Sequence, residues 1–409
     1  MSIERPPTES GYRWAILVLA MLTNTLASAV PGTCLPVLFA EISRDLHLDL
    51  VQVGVVWGIS ALPGVITVLL GGALGDRFGP KRVLLISCLL VGVTGALRGL
   101  ATDFYTLAAA MFLMGVVSPL ISMNTLKMCS LWFPPRQLGL ASGFMSIGMA
   151  AGFLAATLVS ASLLSPALGG WRHVLFLYGA LSAALCVPWL IIRPSPVAAP
   201  PATANPRSLR RNIAAIARIR KAWLLGLAIL GIGGCVQGVL GYLPLYLRGQ
   251  GWPGVSADTA TAAFHTASLL CTIPIALASD RLGTRKRVLV FAGMMMLLGV
   301  GLLSVAQGAL VWLGVVMAGM VRDGFMAVFM TYVIETEGIG VAFAGTATGF
   351  TLVFNGVGTL IAPPIGNSLA SIAPGAPFLF WAGMVVVGFA GLIATRERAS
   401  AARPALAVE

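Results

Sequence analysis

Ionisable side chains are almost absent from the long apolar runs of this chain, so each one found there is a candidate for chemistry. Arg322 and Asp323 sit near the middle of the run 310–334, His265 near the middle of 257–279, and Lys127 in the last third of 105–132. Charge in hydrocarbon is costly, and where it persists it marks a substrate path, a proton relay or an internal ion pair. Arg322 offers a planar, permanently charged fork suited to a carboxylate or similar oxyanion. Asp323 or His265 could take and release a proton, because burial and neighbouring charge move such groups towards useful ranges. Asn24, Gln237 and Asn355 lie at similar depth in the runs 14–37, 223–247 and 342–366, and add uncharged donors and acceptors.

Each of these residues also has a purely structural reading. Arg322 and Asp323 could form an internal network with no substrate contact, and His265 could be a satisfied packing residue. Lys127 could reach the edge of its helix and pair with Glu335 or Glu337. The three amides could bridge helices, the commoner role of such groups in membranes. Adjacent residues point about 100° apart on a helix, so Arg322 and Asp323 should not face each other well. That spacing suggests Arg322 turned to a cavity and Asp323 to a neighbouring helix. Arg98, close to the end of its run, is expected to snorkel to the interface. Tyr242 and Tyr246 are expected near the outer interface.

Enzymatic chemistry has little to work with. No HExxH, P-loop or GxSxG pattern occurs, and polar residues are too sparse for a catalytic constellation. No cofactor or metal site is implied. Cys34, Cys88, Cys129, Cys186, Cys235 and Cys271 all lie within apolar runs without a CxxC pair, and read as small packing residues. Without a nucleotide motif, energy for any transport must come from a gradient.

The elements that would position these residues follow from composition. The chain has 409 residues, 58% hydrophobic and only 10% charged, with a mean hydropathy of +0.93. A soluble domain carries about 25% charged residues, so most of this surface must face lipid. About 20 apolar residues cross a bilayer. Breaks at charges, turns and polar clusters predict spans over 14–37, 51–74, 83–102, 105–132, 139–164 and 173–192, then 223–247, 257–279, 288–307, 310–334, 342–366 and 376–395. The first run continues without a cleavage site and reads as a retained span.

The net charge of +12 reflects topology rather than nucleic-acid binding. Arg193, Arg207, Arg210, Arg211, Arg218, Arg220 and Lys221 crowd the segment between the halves, and Arg77, Lys81, Arg82, Arg281, Arg285, Lys286 and Arg287 follow the second and eighth spans. All lie on one side if the spans alternate, while Glu41, Asp45, Asp49, Asp103 and Asp258 lie on the other. Positive-inside logic then predicts a multi-pass protein of the inner membrane with both termini cytoplasmic. The prolines of 193–206 favour an extended linker. The basic stretch 207–221 reads equally as a helix on the anionic leaflet or as solvated linker. The expected domains are therefore 1–192, a basic linker 193–221, and 222–409.

The two halves repeat one motif. Gly72-Ala-Leu-Gly-Asp76-Arg77-Phe-Gly79-Pro-Lys81-Arg82 follows the second span, and Ala276-Leu-Ala-Ser-Asp280-Arg281-Leu-Gly283-Thr-Arg285-Lys286 follows the eighth, in register and without a gap. The pattern resembles the signature loop between helices 2 and 3 of the major facilitator superfamily, with Lys81 and Ala276 as the departures. The resemblance implies an all-α membrane fold of twelve helices in two pseudo-symmetric six-helix bundles, working by alternating access. It implies that helices 1, 4, 7 and 10 line a central cavity, a set on which most of the mid-span candidates fall. It also implies a gating role for Gly72, Asp76, Arg77, Gly79, Asp280, Arg281 and Gly283. A carboxylate such as Asp76 can meet a helix N-terminus or an arginine in one state and leave it in another; fixing topology is the alternative for the bases.

Trp132-Phe-Pro-Pro-Arg136-Gln-Leu-Gly139-Leu-Ala-Ser142-Gly143, leading to Gly148 and Gly152, is similar to the helix 4–5 connection of superfamily members that carry anions. No Gly-Pro pair typical of drug exporters follows it. The resulting expectation is proton-coupled uptake of a small organic or inorganic anion anchored on Arg322, with the lipid bilayer and protons as the other partners. A proton-driven exporter of drugs or metabolites is the alternative, and a non-transporting sensor the third reading. The first half lacks a mid-span arginine to match Arg322.

Overall fold

Hydrocarbon offers no partner to a backbone N–H or C=O, so a chain this apolar must pair every peptide group within helices or a closed barrel. The computed structural model is helical and describes residues 10–193, 206–339 and 343–395. The stretch 194–205, expected as an extended linker, and the tails 1–9 and 396–409 lie outside the described residues, as does residue 342 of the eleventh span. Among the described residues, eleven helices are long and apolar enough to cross a membrane: Gly11–Thr33, Pro80–Gly99, Phe104–Trp132, Leu138–Leu168, Trp171–Ile191, Arg220–Gly249, Gly254–Leu282, Arg285–Leu303, Ala309–Glu335, Ala344–Ser371 and Ala376–Ala394.

The twelfth is the second span, which is broken. Leu50–Gly58 and Ala61–Phe78 are separate helices on either side of Ile59 and Ser60. Pro63 has no N–H to give to the carbonyl of Ile59, so the helical ladder stops there. Leu62 N closes a tighter turn onto Ile59 O at 3.2 Å instead. The Ser60 carbonyl turns towards the fourth span, where a Cβ added at Gly115 would lie 2.1 Å from its oxygen. The first span is also irregular. A π-helical stretch, Asn24–Ala29, interrupts it, and the chain restarts as Leu35–Asp45, well beyond the expected end at 37. Pro36 suits the first turn of that restarted helix, where its missing N–H would be unpaired anyway.

Both motif copies turn on a left-handed glycine, Gly79 at φ +81° and Gly283 at φ +62°, a conformation that costs glycine nothing. The bases that follow have a structural task beyond topology. Lys81 Nζ donates to Leu190 O at 3.1 Å and to Ile192 O, at the end of the sixth span. Lys286 Nζ donates to Ile393 O at 2.8 Å and to Thr395 O, at the end of the twelfth. A lysine near orphan C-terminal carbonyls satisfies them and complements the helix dipole. The basic linker forms a helix over Pro206–Ala217, closed by Trp223 Nε1 donating to Ala217 O at 2.8 Å.

Two compact units result. One combines the helices of the first half with Leu240–Ala262 and Leu360–Ser368; the other contains Asn205–Val239, Ala263–Thr359 and the last span. Within the first unit, Asn367 Nδ2 donates to Leu50 O at 2.8 Å, and a Cβ at Gly54 would lie 2.6 Å from Pro364 N. Tyr242 and Tyr246, in the last turns of the seventh span, are buried in this unit with ring centroids 5.9 Å apart. Trp57 packs onto Gly241 beside them and covers that end of the seventh span.

Arg98 does not snorkel. It is fully buried, and Nη1 donates to Pro31 O at 2.7 Å, where the first helix is interrupted. Its Nε and Nη2 have no hydrogen-bond partner among the described residues, and the Cys34 thiol lies beside the guanidinium. The nearby break at Cys34 and Pro36 supplies the acceptor that makes this burial tolerable.

The Ser60–Gly115 contact gives a direct test. Gly115→Ala should lower stability by about 1–3 kcal/mol, the usual cost of overpacking. Thermal unfolding of the detergent-solubilised protein would register this as a lower melting temperature.

Candidate functional site

Close helix crossings set the geometry around Arg322. Where the eighth and tenth spans meet, a Cβ at Gly319 would stand 2.5 Å from the Phe264 carbonyl oxygen, so the missing side chain permits the approach. Nearby, His265 Nδ1 faces Arg322 Nη1 at 3.2 Å. A guanidinium carries only donors, so Nδ1 is the acceptor and a neutral ring holds its proton on Nε2. The backbone N–H of Asp323 donates to Ser268 Oγ at 3.1 Å. His265 is buried, at 5% exposure.

Arg322 and Asp323 nevertheless meet, Nε to Oδ1 at 3.6 Å. The long arginine arm folds back across the 100° that separates the two positions. Asp323 is the more open side chain, 44% exposed against 21% for Arg322. Arg322 is therefore the residue held against the neighbouring helix, and Asp323 the one less covered, the opposite of the arrangement expected from helical spacing. Where the seventh and eleventh spans cross, a Cβ at Gly233 would fall 1.9 Å from Asn355 Oδ1. Asn355 is half-buried in that crossing, and so is Gln237, one turn along from Gly233.

Arg322, Asp323, His265, Gln237 and Asn355 thus belong to one unit, while Asn24 and Lys127 belong to the other. Asn24, on the π-helical stretch of the first span, is buried and donates from Nδ2 to Thr125 Oγ1 of the fourth span at 3.1 Å. Two positions further on, Lys127 forms an ion pair with Asp76 of the signature motif. Glu335 and Glu337 have partners within their own unit. Glu335 pairs with Arg285 at 2.6 Å and Glu337 with Lys221 at 3.0 Å. Asn124 Nδ2 donates to Gly71 O at 3.2 Å, and Gly75 leaves room for Asn124 and for the Lys127 stem. This close contact between the second and fourth spans brings Asp76 to Lys127.

The second motif copy is arranged differently. Asp280 pairs with Arg285 on the next helix at 3.0 Å, and its side chain is 65% exposed against 24% for Asp76. Gly72 lies in the second span, and Arg77 and Arg281 sit exposed at the ends of their helices. Sequence reading missed Ser268 and Thr125. Ser268 lies three residues after His265, on the same helix face, so a polar pair at that spacing in an apolar run was the available signal. No group of three or more His, Cys, Asp or Glu side chains is placed to hold a metal among the described residues.

The sequence matches the family described as Major Facilitator Superfamily over residues 15–350. It is similar to the 3-(3-hydroxy-phenyl)propionate transporter of Escherichia coli K12, at 26% identity over 96% of this chain and 97% of that protein. Similarity to the Tetracenomycin C resistance and export protein of Streptomyces glaucescens, at 27% identity, covers 44% of this chain and 33% of that one. The chain spans about a third of the length of the first of the curated relatives it matches. Among solved structures, nucleoside transporter NupG shares the fold with a TM-score of 0.73 at 18% identity, covering 94% of this chain and 99% of that one.

The Asp76–Lys127 pair is partly shielded, so it should contribute more than a solvated surface pair. A double-mutant cycle of Asp76→Asn and Lys127→Gln, read by thermal unfolding, should give a coupling energy on the order of 1 kcal/mol. Strictly additive effects would show that the pair contributes nothing to stability.

Proposed function

Since the chain belongs to the Major Facilitator Superfamily and is a membrane transporter, we propose that it takes up a small organic or inorganic anion together with protons, by alternating access of the halves 1–192 and 222–409. The observation that carries this reading is Arg322, a guanidinium in the middle of a membrane span, held by a neutral acceptor at 3.2 Å and still 21% exposed. An arginine so placed keeps its charge and can present N–H groups to an oxyanion. Gln237 and Asn355, in the same unit, supply uncharged hydrogen bonds. Asn24 and Lys127 are the corresponding contributions from the first half. Similarity across nearly the whole chain to a transporter named for an aromatic carboxylate supports an anionic substrate.

Coupling follows from the donor-only chemistry of Arg322. A proton arriving at His265 Nδ1 removes the acceptor for Nη1 and sets two positive charges side by side. An anion on Arg322 offsets that repulsion, so anion and proton bind more strongly together than apart. Asp323, 3.6 Å from Nε and more open, is the second group able to exchange a proton beside the anion. The positive-inside pattern supports an inner-membrane protein with both termini and the two motif loops on the cytoplasmic side. Similarity to an export protein over part of the chain favours a second reading, proton-driven export of drugs or metabolites.

Proteoliposomes loaded with a pH dye and challenged with small carboxylates and inorganic anions test the proposal. Substrate-dependent proton entry should disappear in Arg322→Ala. In Arg322→Lys, which keeps the charge and loses the fork, it should fall by about tenfold or more, the value of one charge-assisted hydrogen bond. Unchanged transport in Arg322→Lys would remove Arg322 as the anchor. Silence across the whole panel from a folded protein would point to export.

A further inference from the structure

At the end of the helices remote from the two motif loops, a second polar cluster lies outside the site around Arg322. Its centre is Asp258, in the first turns of the eighth span. Among the described residues it is the one aspartate or glutamate that is buried, at 1% exposure. Arg248, from the last turn of the seventh span, reaches Asp258 Oδ1 at 2.6 Å. Ser162, from the π-helical stretch Ser160–Leu164 of the fifth span, donates to Oδ2 at 2.5 Å. The other charge acting on Asp258 is Glu41, from the extension of the first helix, which itself accepts from Ser165 at 2.5 Å. Two carboxylates and one guanidinium leave the cluster with one negative charge in excess.

Each contact has a distinct place in the chain. Arg248 and Asp258 are ten residues apart in the second half, so their ion pair does not depend on the first half. The Ser162–Asp258 bond does, because it ties the fifth span to the eighth across 96 residues. Ser162 is presented by a π-helical insertion, a feature frequent at functional sites because it re-aims side chains out of helical register. A buried ion cluster is a poor way to hold helices together permanently, since apolar packing does so equally well or better. Its distinguishing property is that one proton changes its energy.

We propose that Ser162, Arg248 and Asp258 form a releasable gate latch at this end of the protein, and that protonation of Asp258 opens it. Ionised Asp258 accepts a charge-assisted bond from Ser162, roughly twice as strong as a neutral one. Protonated, it keeps only the weaker bond and gives up its direct ion pair with Arg248. Water admitted by opening then solvates the guanidinium. The latch is therefore closed when Asp258 is ionised and released in acid. Asp258 precedes His265 by seven residues on one helix, two turns along the same face and about 10 Å apart along the axis. A proton that releases the latch thus acts on the helix that carries His265. Only this last link rests on the proton-coupled uptake proposed above.

Spin labels at Val51 and Val255, exposed by 39% and 64%, report the separation of this end without any substrate. The full chain, with its native cysteines replaced and reconstituted in lipid, would be measured at neutral and at acid pH. The unsubstituted latch should give a short distance at neutral pH and a longer component that grows severalfold in acid. Asp258→Asn should show the long component at both pH values and no pH response. Ser162→Ala should enlarge it while keeping the response, and Asp258→Glu should preserve the response and so certify the fold. A distance distribution in Asp258→Asn that matches the parent at both pH values, or a parent that ignores pH, would overturn the latch. Failure of the anion assay alongside a pH-dependent distance would instead sink the uptake reading and leave the latch intact.

Discussion

In a bilayer the backbone is already satisfied within each helix, and lipid is as apolar as leucine, so neither backbone pairing nor the hydrophobic effect selects which helices touch. Selection falls to places where two backbones can come unusually close. In this protein those places are glycines facing main-chain atoms: Gly319 against Phe264, Gly115 against Ser60, Gly54 against Pro364. The polar contacts depend on them. His265 and Ser268 reach Arg322 and Asp323 because the eighth and tenth spans touch at Gly319, and Lys127 reaches Asp76 because Gly75 admits the fourth span.

Charge is the second selector, because every buried charge must find a partner or stay at an edge. The described structure follows this closely. Lys127 takes Asp76, Arg248 takes Asp258, and Lys81 and Lys286 take the terminal carbonyls of the last helix in each half. Arg98 takes a carbonyl freed near an interruption in the first helix. Irregular backbone is thus an asset here: breaks, π-helical stretches and helix ends supply the acceptors that a regular helix would consume.

The two motif copies show how far a sequence repeat carries into structure. Gly79 and Gly283 share a left-handed turn, and each copy sends a lysine to the final helix of its half. The carboxylates diverge. Asp76 is drawn into the interhelical contact with Lys127, whereas Asp280 stays largely exposed beside Arg285. The turn of the loop is repeated because each copy places a glycine at the positive-φ position; the ion pairs differ because the fourth and tenth spans carry different residues at the contact.

The sequence alone determined the membrane environment, the number and order of the spans, the repeated motif and the membership that follows from it. These rest on properties local in the chain: apolar length, the position of charges, and the spacing within one loop. It also singled out Arg322, Asp323 and His265, since an ionisable residue inside an apolar run is conspicuous without any fold. Tertiary structure decided the rest. The pairing of Lys127 with Asp76, the burial of Arg98 and the contact between Arg322 and Asp323 all depend on which helix faces overlap. The break in the second span lay between: Pro63 was visible, but only the fold shows that the neighbouring Ser60 carbonyl meets Gly115. Long-range contacts of this kind are set by close approach between distant glycines and main-chain atoms, and no periodicity within a single helix records which distant partner a face will meet.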